Sequence, residues 1–270
     1  MSVAKVHLLA QALARGPAML VSVDSVQGSG PREPGAWMAV TADAVVNTIG
    51  GGHLEFEAIA AARALLPTGE AAMRRYALGP SLGQCCGGVV HLKFEAVSQA
   101  DLPALQARLQ GPLAPLALFG GGHVGRALVQ ALGPLPFAVR WIDSRDEIFP
   151  SDLPLNVACE HSDPVQAAVA ALAPGTRVLI MSFSHAEDLD VVAACLTRLR
   201  SHNDLPFVGL IGSQTKWATF RHRLEARGFS ADELARVTCP IGLPGIAGKQ
   251  PEVIAVSVAA QLLQHSNKGL

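Results

Sequence analysis

Two adjacent cysteines at the end of a glycine-rich run, Leu78-Gly-Pro-Ser-Leu-Gly-Gln84-Cys85-Cys86-Gly87-Gly88, are the residues of this chain best suited to chemistry. Consecutive Cα atoms across a trans peptide lie ~3.8 Å apart, short of the ~4.4–6.8 Å that bridged cysteines span. The pair therefore reads as two thiols and not as a disulfide. With glycines flanking it, a thiolate here has little side-chain shielding and could approach a bulky ligand. The same run could equally be a tight turn with two small sulfurs packed beneath it, because free cysteine behaves as a small hydrophobe.

Three other loops carry residue types that bind ligands. Gly120-Gly121-Gly122-His123-Val124-Gly125 has the Gly-x-Gly-x-x-Gly spacing, follows an apolar strand and opens a helix, and the next strand ends at Asp143. Glycines there let a phosphate reach bare amides at a helix start, and an acid at that distance accepts from a ribose. Gly120, Gly122, Gly125 and Asp143 are thus candidates for a nucleotide-like ligand, with Asp143→Ala expected to matter only if a ribose is bound. A turn that binds nothing would use the same glycines. In Gln27-Gly-Ser-Gly-Pro31-Arg32-Glu33-Pro34-Gly35-Ala36, two prolines stiffen the presentation of Arg32, whose forked guanidinium suits planar or phosphate-bearing ligands. In Ile49-Gly-Gly51-Gly-His-Leu-Glu55, amides such as that of Gly51 precede a helix, and Glu55 is expected to cap its first turn. Ser213-Gln-Thr-Lys216 fits a Ser-x-x-Lys nucleophile pattern but lacks the companion elements, so it reads as a helix-start serine with an exposed lysine. His161 and His185 have no metal-ligand spacing to other residues.

The elements that must position these loops fall into two patterns. From Val21 to Phe94 short β-prone runs alternate with glycine turns around one helix, His53 to Leu66. Residues 98–114 form a polar stretch punctuated by proline and glycine, with a short helical core at Leu102 to Leu109, and read as a linker. Beyond it strands and helices alternate: strand Leu116–Phe119, helix His123–Leu132, strand Phe137–Asp143, strand Asn156–Glu160, helix Pro164–Leu172, strand Arg177–Ser182. Helix His185–Arg200, strand Phe207–Ile211, helix Gln214–Arg227, a short helix from Asp232 and helix Pro251–His265 complete the chain. Such alternation means a parallel sheet covered on both faces. Ser184 with Glu187, and Ser230 with Glu233, fit capping boxes at helix starts. The fold class is α/β: a smaller N-terminal mixed α/β domain over residues 1–97, then a Rossmann-like, doubly wound parallel-sheet domain over residues 115–270. The Cys86 loop and the Gly120 loop are expected to face one cleft.

Composition narrows the function. Half of the 270 residues are hydrophobic, 16% are charged and the net charge is −1, which describes a folded chain. There is no basic block of the kind nucleic acid binding requires, and no apolar run of the ~18 residues a membrane span needs. The first ten residues read as an ordinary helix and not as a secretion signal, and the five cysteines lack paired spacing. A cytoplasmic location is expected, with no Cys-x-x-Cys zinc site.

Taken together, several motifs resemble those of the XdhC/CoxI family, the accessory factors of xanthine dehydrogenase and related molybdenum hydroxylases. They are Gly28-Ser-Gly-Pro-Arg32 with Gly35-Ala36, Gly50-Gly-Gly-His-Leu-Glu55, Gly83-Gln-Cys-Cys-Gly-Gly88, Phe119-Gly-Gly-Gly-His-Val-Gly125, Ile211-Gly-Ser213, and Pro240-Ile-Gly-Leu with Pro251-Glu-Val-Ile-Ala-Val-Ser-Val. The resemblance covers the chain end to end. It implies a homodimeric chaperone without turnover of its own that binds and shields the molybdenum cofactor. It also implies that the protein supports sulfuration of the cofactor by a cysteine desulfurase and delivers it to the molybdenum subunit of xanthine dehydrogenase. On that reading Gln84, Cys85, Cys86, Gly87, Arg32 and Gly51 hold the cofactor. Cys86, which directly precedes Gly87, is favoured as the metal-contacting sulfur, since dithiolene-bound molybdenum is a soft centre. The alternative is a nicotinamide-dependent oxidoreductase resting on the Gly120 loop and Asp143, for which no acid-base pair presents itself.

Overall fold

Alternation of apolar residues builds the N-terminal sheet into the middle of three layers. The structure, a computed structural model, describes residues 3–78 and 88–266, and the chain divides between Gly111 and Pro112 into two compact units. In the first, strands β1 (Ala18–Gln27), β2 (Trp37–Val40), β3 (Val45–Asn47), β4 (Ala72–Ala77) and β5 (Val89–Val97) pair antiparallel in the order β3-β2-β1-β5-β4. Met19, Val21 and Val23 of β1 point to one face, under Leu54, Ala58 and Ala62 of helix α2 (Gly52–Leu65). Ala18 and Leu20 point to the other, against Val6, Leu9 and Leu13 of α1 (Val3–Leu13) and Leu105 and Leu109 of α3 (Leu102–Leu109). A strand covered on both faces has no polar side to alternate with, which is why β2 is buried at every position. Residues 98–110, read from sequence as a linker, form a 3-10 turn and α3, and α3 packs into the first unit's core.

The second unit is the doubly wound sheet that the alternation implies. Strands β6 (Ala114–Phe119), β7 (Phe137–Asp143), β8 (Val157–His161), β9 (Arg177–Ile180), β10 (Phe207–Leu210) and β11 (Val237–Thr238) are all parallel, in the order β11-β10-β9-β6-β7-β8. Helices α4 (His123–Leu132) and α8 (Pro251–Ser266) cover one face through Leu128, Val129, Leu132, Ala255 and Val258. Helices α5 (His185–His202), α6 (Gln214–Ala226) and α7 (Ala231–Leu234) cover the other, through Val192, Leu196, Phe220, Leu224 and Leu234. The strand order runs outward from β6 in one direction and from β9 in the other, so the connections diverge between β6 and β9. Folds of this kind bind ligands where that reversal opens a crevice at the carboxyl ends of the strands.

Three local expectations change. The helix expected over Pro164–Leu172 winds as a 3-10 segment, Val165–Ala171, and the carbonyls of Val169, Ala170 and Leu172 at its end accept from the Arg198 guanidinium in place of a further helical turn. Ser230 and Glu233 form the full capping box, but only half of the Ser184 box forms. The Ser184 Oγ accepts from the Glu187 amide, while the Glu187 carboxylate accepts instead from the Phe183 amide and the Ser144 hydroxyl. Lys216 is not exposed: its ammonium donates to Asp188 at 2.6 Å and to the Ile211 carbonyl at 2.8 Å, while Ser213 caps α6. Among the described residues no helix is long and apolar enough to cross a membrane.

Candidate functional site

The glycines of the Gly120 loop serve different physical ends. Gly120 has φ 119°, and a Cβ there would lie 1.9 Å from the Met181 carbonyl oxygen. Its own amide donates to Ile142 and its carbonyl accepts from the Trp141 indole at 2.9 Å. This residue is the point where the ends of β6, β7 and β9 close on one another. A Cβ on Gly125 would stand 2.1 Å from the Gly120 carbonyl oxygen, so that glycine lets α4 pack onto the loop. At Gly121 the corresponding space is filled by the Ile148 side chain. Gly122 alone of these has nothing within 4 Å of an added Cβ, so it is the place where a ligand could approach backbone.

Asp143 does not present a free carboxylate to that loop. It is 1% exposed and accepts four hydrogen bonds, from the Gly121 amide at 2.6 Å and from the Arg145 amide, Nε and Nη2 at 2.9 Å each. Arg145 also lies over the Phe183 ring, 4.3 Å from its centroid, and Phe183 is 64% exposed. Burial alone would raise the Asp143 carboxyl, but the Arg145 guanidinium and the Gly121 and Arg145 amides outweigh it and hold the group below its ordinary value.

This corrects the expectation that Asp143→Ala matters only with a ribose bound. The substitution leaves the Gly121 amide and the Arg145 guanidinium without their acceptor, and we expect it to cost about 3 kcal/mol in the ligand-free protein. Because the folded value is depressed, the contribution is present above the unfolded carboxyl value and is lost as pH falls through the folded one. Urea titrations between neutral and acidic pH should show wild type losing its advantage over Asp143→Asn below about pH 4. A difference that stays constant as the pH is taken well below that value would show that the charge of Asp143 is not what holds the loop.

In the N-terminal unit the loops that carry Arg32, Gly51 and Gly88 converge. A Cβ on Gly50 would meet the Pro31 Cβ at 2.7 Å and the Arg32 Cγ at 3.1 Å. A Cβ on Gly88 would lie 2.3 Å from the Ser29 carbonyl oxygen and 2.7 Å from that of Gln27. Both contacts need glycine because backbone or a rigid ring occupies the space a side chain would take. The Leu78 amide donates to the Gly88 carbonyl at 2.7 Å, so the residues on either side of positions 79–87 are held together. Gln84, Cys85, Cys86 and Gly87 themselves lie outside the described residues.

Two of the singled-out groups are already engaged. Glu55 does more than cap α2: its Oε2 accepts from the Ile49 amide at 2.9 Å, the Gly51 amide at 3.1 Å and the Thr48 hydroxyl, fixing the whole turn. The Gly51 amide is thus satisfied internally. Arg32 is one-third exposed and forks onto Glu33, with Nη2 to Oε1 at 3.1 Å and Nε to Oε2 at 3.3 Å. That guanidinium holds the Glu33 carboxyl below its usual range.

Sequence reasoning missed a pair close to this junction. Ser25 Oγ lies 3.1 Å from His91 Nδ1, across the β1–β5 ladder where a bulge follows Val23. Arg75 of β4 is the partner of His91 on its other side. Only strand register could have revealed the pair, since its members are far apart in sequence. The described cysteines are poor nucleophiles: burial pushes the Cys195 thiol up to about 12 and the Cys239 thiol up to about 11, and it raises Cys159 as well. Among the described residues no three His, Cys, Asp or Glu side chains gather as a metal site.

Known proteins share both halves of this architecture. A crystal structure described as a xanthine dehydrogenase from Bacillus halodurans superposes with a TM-score of 0.78 over 100% of this chain and 97% of its own, at 20% identity, and so has the same fold. The uncharacterized protein YqeB of Escherichia coli K12 is 28% identical over 256 residues, 93% of this chain but 43% of YqeB, so the chain spans less than half the length of that relative. The profile of the XdhC and CoxI family matches residues 12–77, which carry the Arg32 and Gly51 loops. That of the XdhC Rossmann domain matches residues 116–262, which carry the Gly120 loop and the parallel sheet. The chain belongs to the XdhC and CoxI family.

Proposed function

We propose that this protein is an accessory factor of xanthine dehydrogenase maturation whose cargo is the molybdenum cofactor. It binds and shields the cofactor, keeps it accessible to a cysteine desulfurase for sulfuration, and passes it to the molybdenum subunit of xanthine dehydrogenase, acting as a cytoplasmic homodimer without turnover of its own. Family membership supports the accessory role. The observation that carries the cofactor reading is the junction of the Gly28–Arg32 loop with both the Gly50 turn and Gly88, which gathers three glycine-rich motifs at the root of the Cys85-Cys86 run. Soft molybdenum suits a thiolate there. In the second unit Gly122, open to approach, suits a phosphate or similar anion.

The oxidoreductase reading is favoured by the strand order, which is that of dinucleotide-binding sheets. The engagement of Asp143 by Arg145 and Gly121 weighs against it, because a ribose would have to displace an ion pair. Protein purified from cofactor-making and from cofactor-deficient cells separates the readings. We expect molybdenum and its absorbance only in the first preparation. Bound nicotinamide nucleotide in both would support the oxidoreductase, and a ligand-free protein from both sources would reduce the chain to a docking scaffold.

A further inference from the structure

Parts of two family-like motifs, Ile211-Gly212 and Pro240-Ile-Gly-Leu243, with Val253, Ile254 and Ser257 of α8, line a cavity of about 620 Å3 in the C-terminal unit. That volume is within the ~300–1,000 Å3 of small-molecule sites. The cavity opens beyond the carboxyl ends of β10 and β11, on the same carboxyl edge of the sheet as the β6–β9 reversal but to one side of it.

Its wall is deliberately fixed. The Leu243 amide donates to Ser257 Oγ and the Gly242 amide to Gln261 Oε1, each at 2.8 Å. Ser257 and Gln261 are 6% and 9% exposed, so two buried polar side chains of α8 find their partners in the backbone of this loop. Gly242 has φ 102°, and a Cβ on it would lie 2.7 Å from Ser257 Oγ, so the contact requires glycine. A loop held in this way keeps its shape without a ligand, which lowers the ordering cost of binding.

The lining defines what fits. Ile211, Ile241, Leu243, Ile246, Val253 and Ile254 make about half of the lining apolar, the rest is polar, and Lys249 is the only charged side chain among the lining residues. Lys216 at the neighbouring Gly212 turn adds no free charge, because Asp188 neutralises it at 2.6 Å. With its thiol pushed up by burial, Cys239 presents a neutral sulfur.

We infer that this cavity binds a small amphipathic anion, with an apolar body against the isoleucines and one acidic group at Lys249. The probe for the full-length protein is 1-anilinonaphthalene-8-sulfonate, an aromatic body with one sulfonate, titrated beside its uncharged analogue N-phenyl-1-naphthylamine. Both should bind saturably. Lys249→Gln should weaken the sulfonate about fivefold and leave the neutral probe unchanged, as loss of one partly solvated ion pair requires. Ile246→Asp should weaken both. Ile246 is 45% exposed and Lys249 is exposed, so both variants should keep the wild-type thermal midpoint. Equal sulfonate affinity in all three proteins would overturn the site, and so would an equal loss for both probes in Lys249→Gln.

Discussion

Gly120→Ala should collapse the C-terminal unit, with a loss of roughly 3 kcal/mol or more, whereas Gly122→Ala should cost about 1 kcal/mol or less. At Gly120 two penalties fall on one residue. Its φ of 119° is rarely adopted by residues with a side chain, and the new methyl would lie 1.9 Å from the Met181 carbonyl oxygen, which cannot move without separating the ends of β6 and β9. Gly125→Ala should fall between the two, because the helical preference for alanine partly offsets the 2.1 Å contact with the Gly120 carbonyl. Urea denaturation of the three variants gives the ranking, and a Gly120→Ala protein as stable as Gly122→Ala would show that the loop's glycines are not set by packing. The same measurement prepares a test of function. Gly122→Val should fold, since nothing crowds that position, and it should lose cargo retention if a phosphate approaches the amides there. Full retention in the folded variant would place the phosphate elsewhere.

The order of elements was legible because periodicity and punctuation report it directly. Strand, glycine loop and amphipathic helix at Leu116–Leu132, and the long uninterrupted helical segments of α5 and α8, leave unambiguous traces in a doubly wound fold. Two strands were not seen. β4 carries Arg74, Arg75 and an exposed Met73 on an edge, where packing does not demand alternation, and β11 has only two residues and is recognisable only by its pairing with β10. Candidate site residues were legible as types but not as states. The sequence shows that Asp143, Arg32 and Gly51 could meet a ligand. It does not show that Arg145, Glu33 and Glu55 already satisfy them. Those partners lie only one to four residues away, yet the contacts depend on backbone turns that spacing alone does not specify. Lys216 and Asp188, 28 residues apart, needed the tertiary fold to meet at all.

Cys86→Ser should abolish cofactor binding while leaving the fold intact. The substitution replaces a soft, ionisable sulfur by a hard hydroxyl that ionises poorly, at nearly constant volume. Molybdenum per folded chain should fall by roughly tenfold or more, as expected for loss of a metal-contacting group, with an unchanged thermal midpoint. Cys85→Ser should retain more of the cargo. A nucleophilic or ligating thiolate at neutral pH needs nearby positive charge. Arg32 is a poor source while Glu33 neutralises it, and Arg74 packs over the Phe94 ring. Arg75 of β4, opposite His91 of β5, has no carboxylate partner among the described residues and is the better candidate. Arg75→Gln should therefore slow alkylation of Cys86 by iodoacetamide at pH 7 more than Arg32→Gln does. Cys195, Cys239 and Cys159 give a slow background, because burial raises all three thiols. If Cys86 is instead a packing residue, serine should cost about 1–3 kcal/mol of stability through a poorly paired hydroxyl and leave molybdenum per folded molecule unchanged. Thermal midpoint and bound molybdenum, measured on one preparation, separate the two roles: a destabilised Cys86→Ser that still carries its full cargo would remove the thiolate from the binding site and leave the glycine junction to hold the cofactor without it.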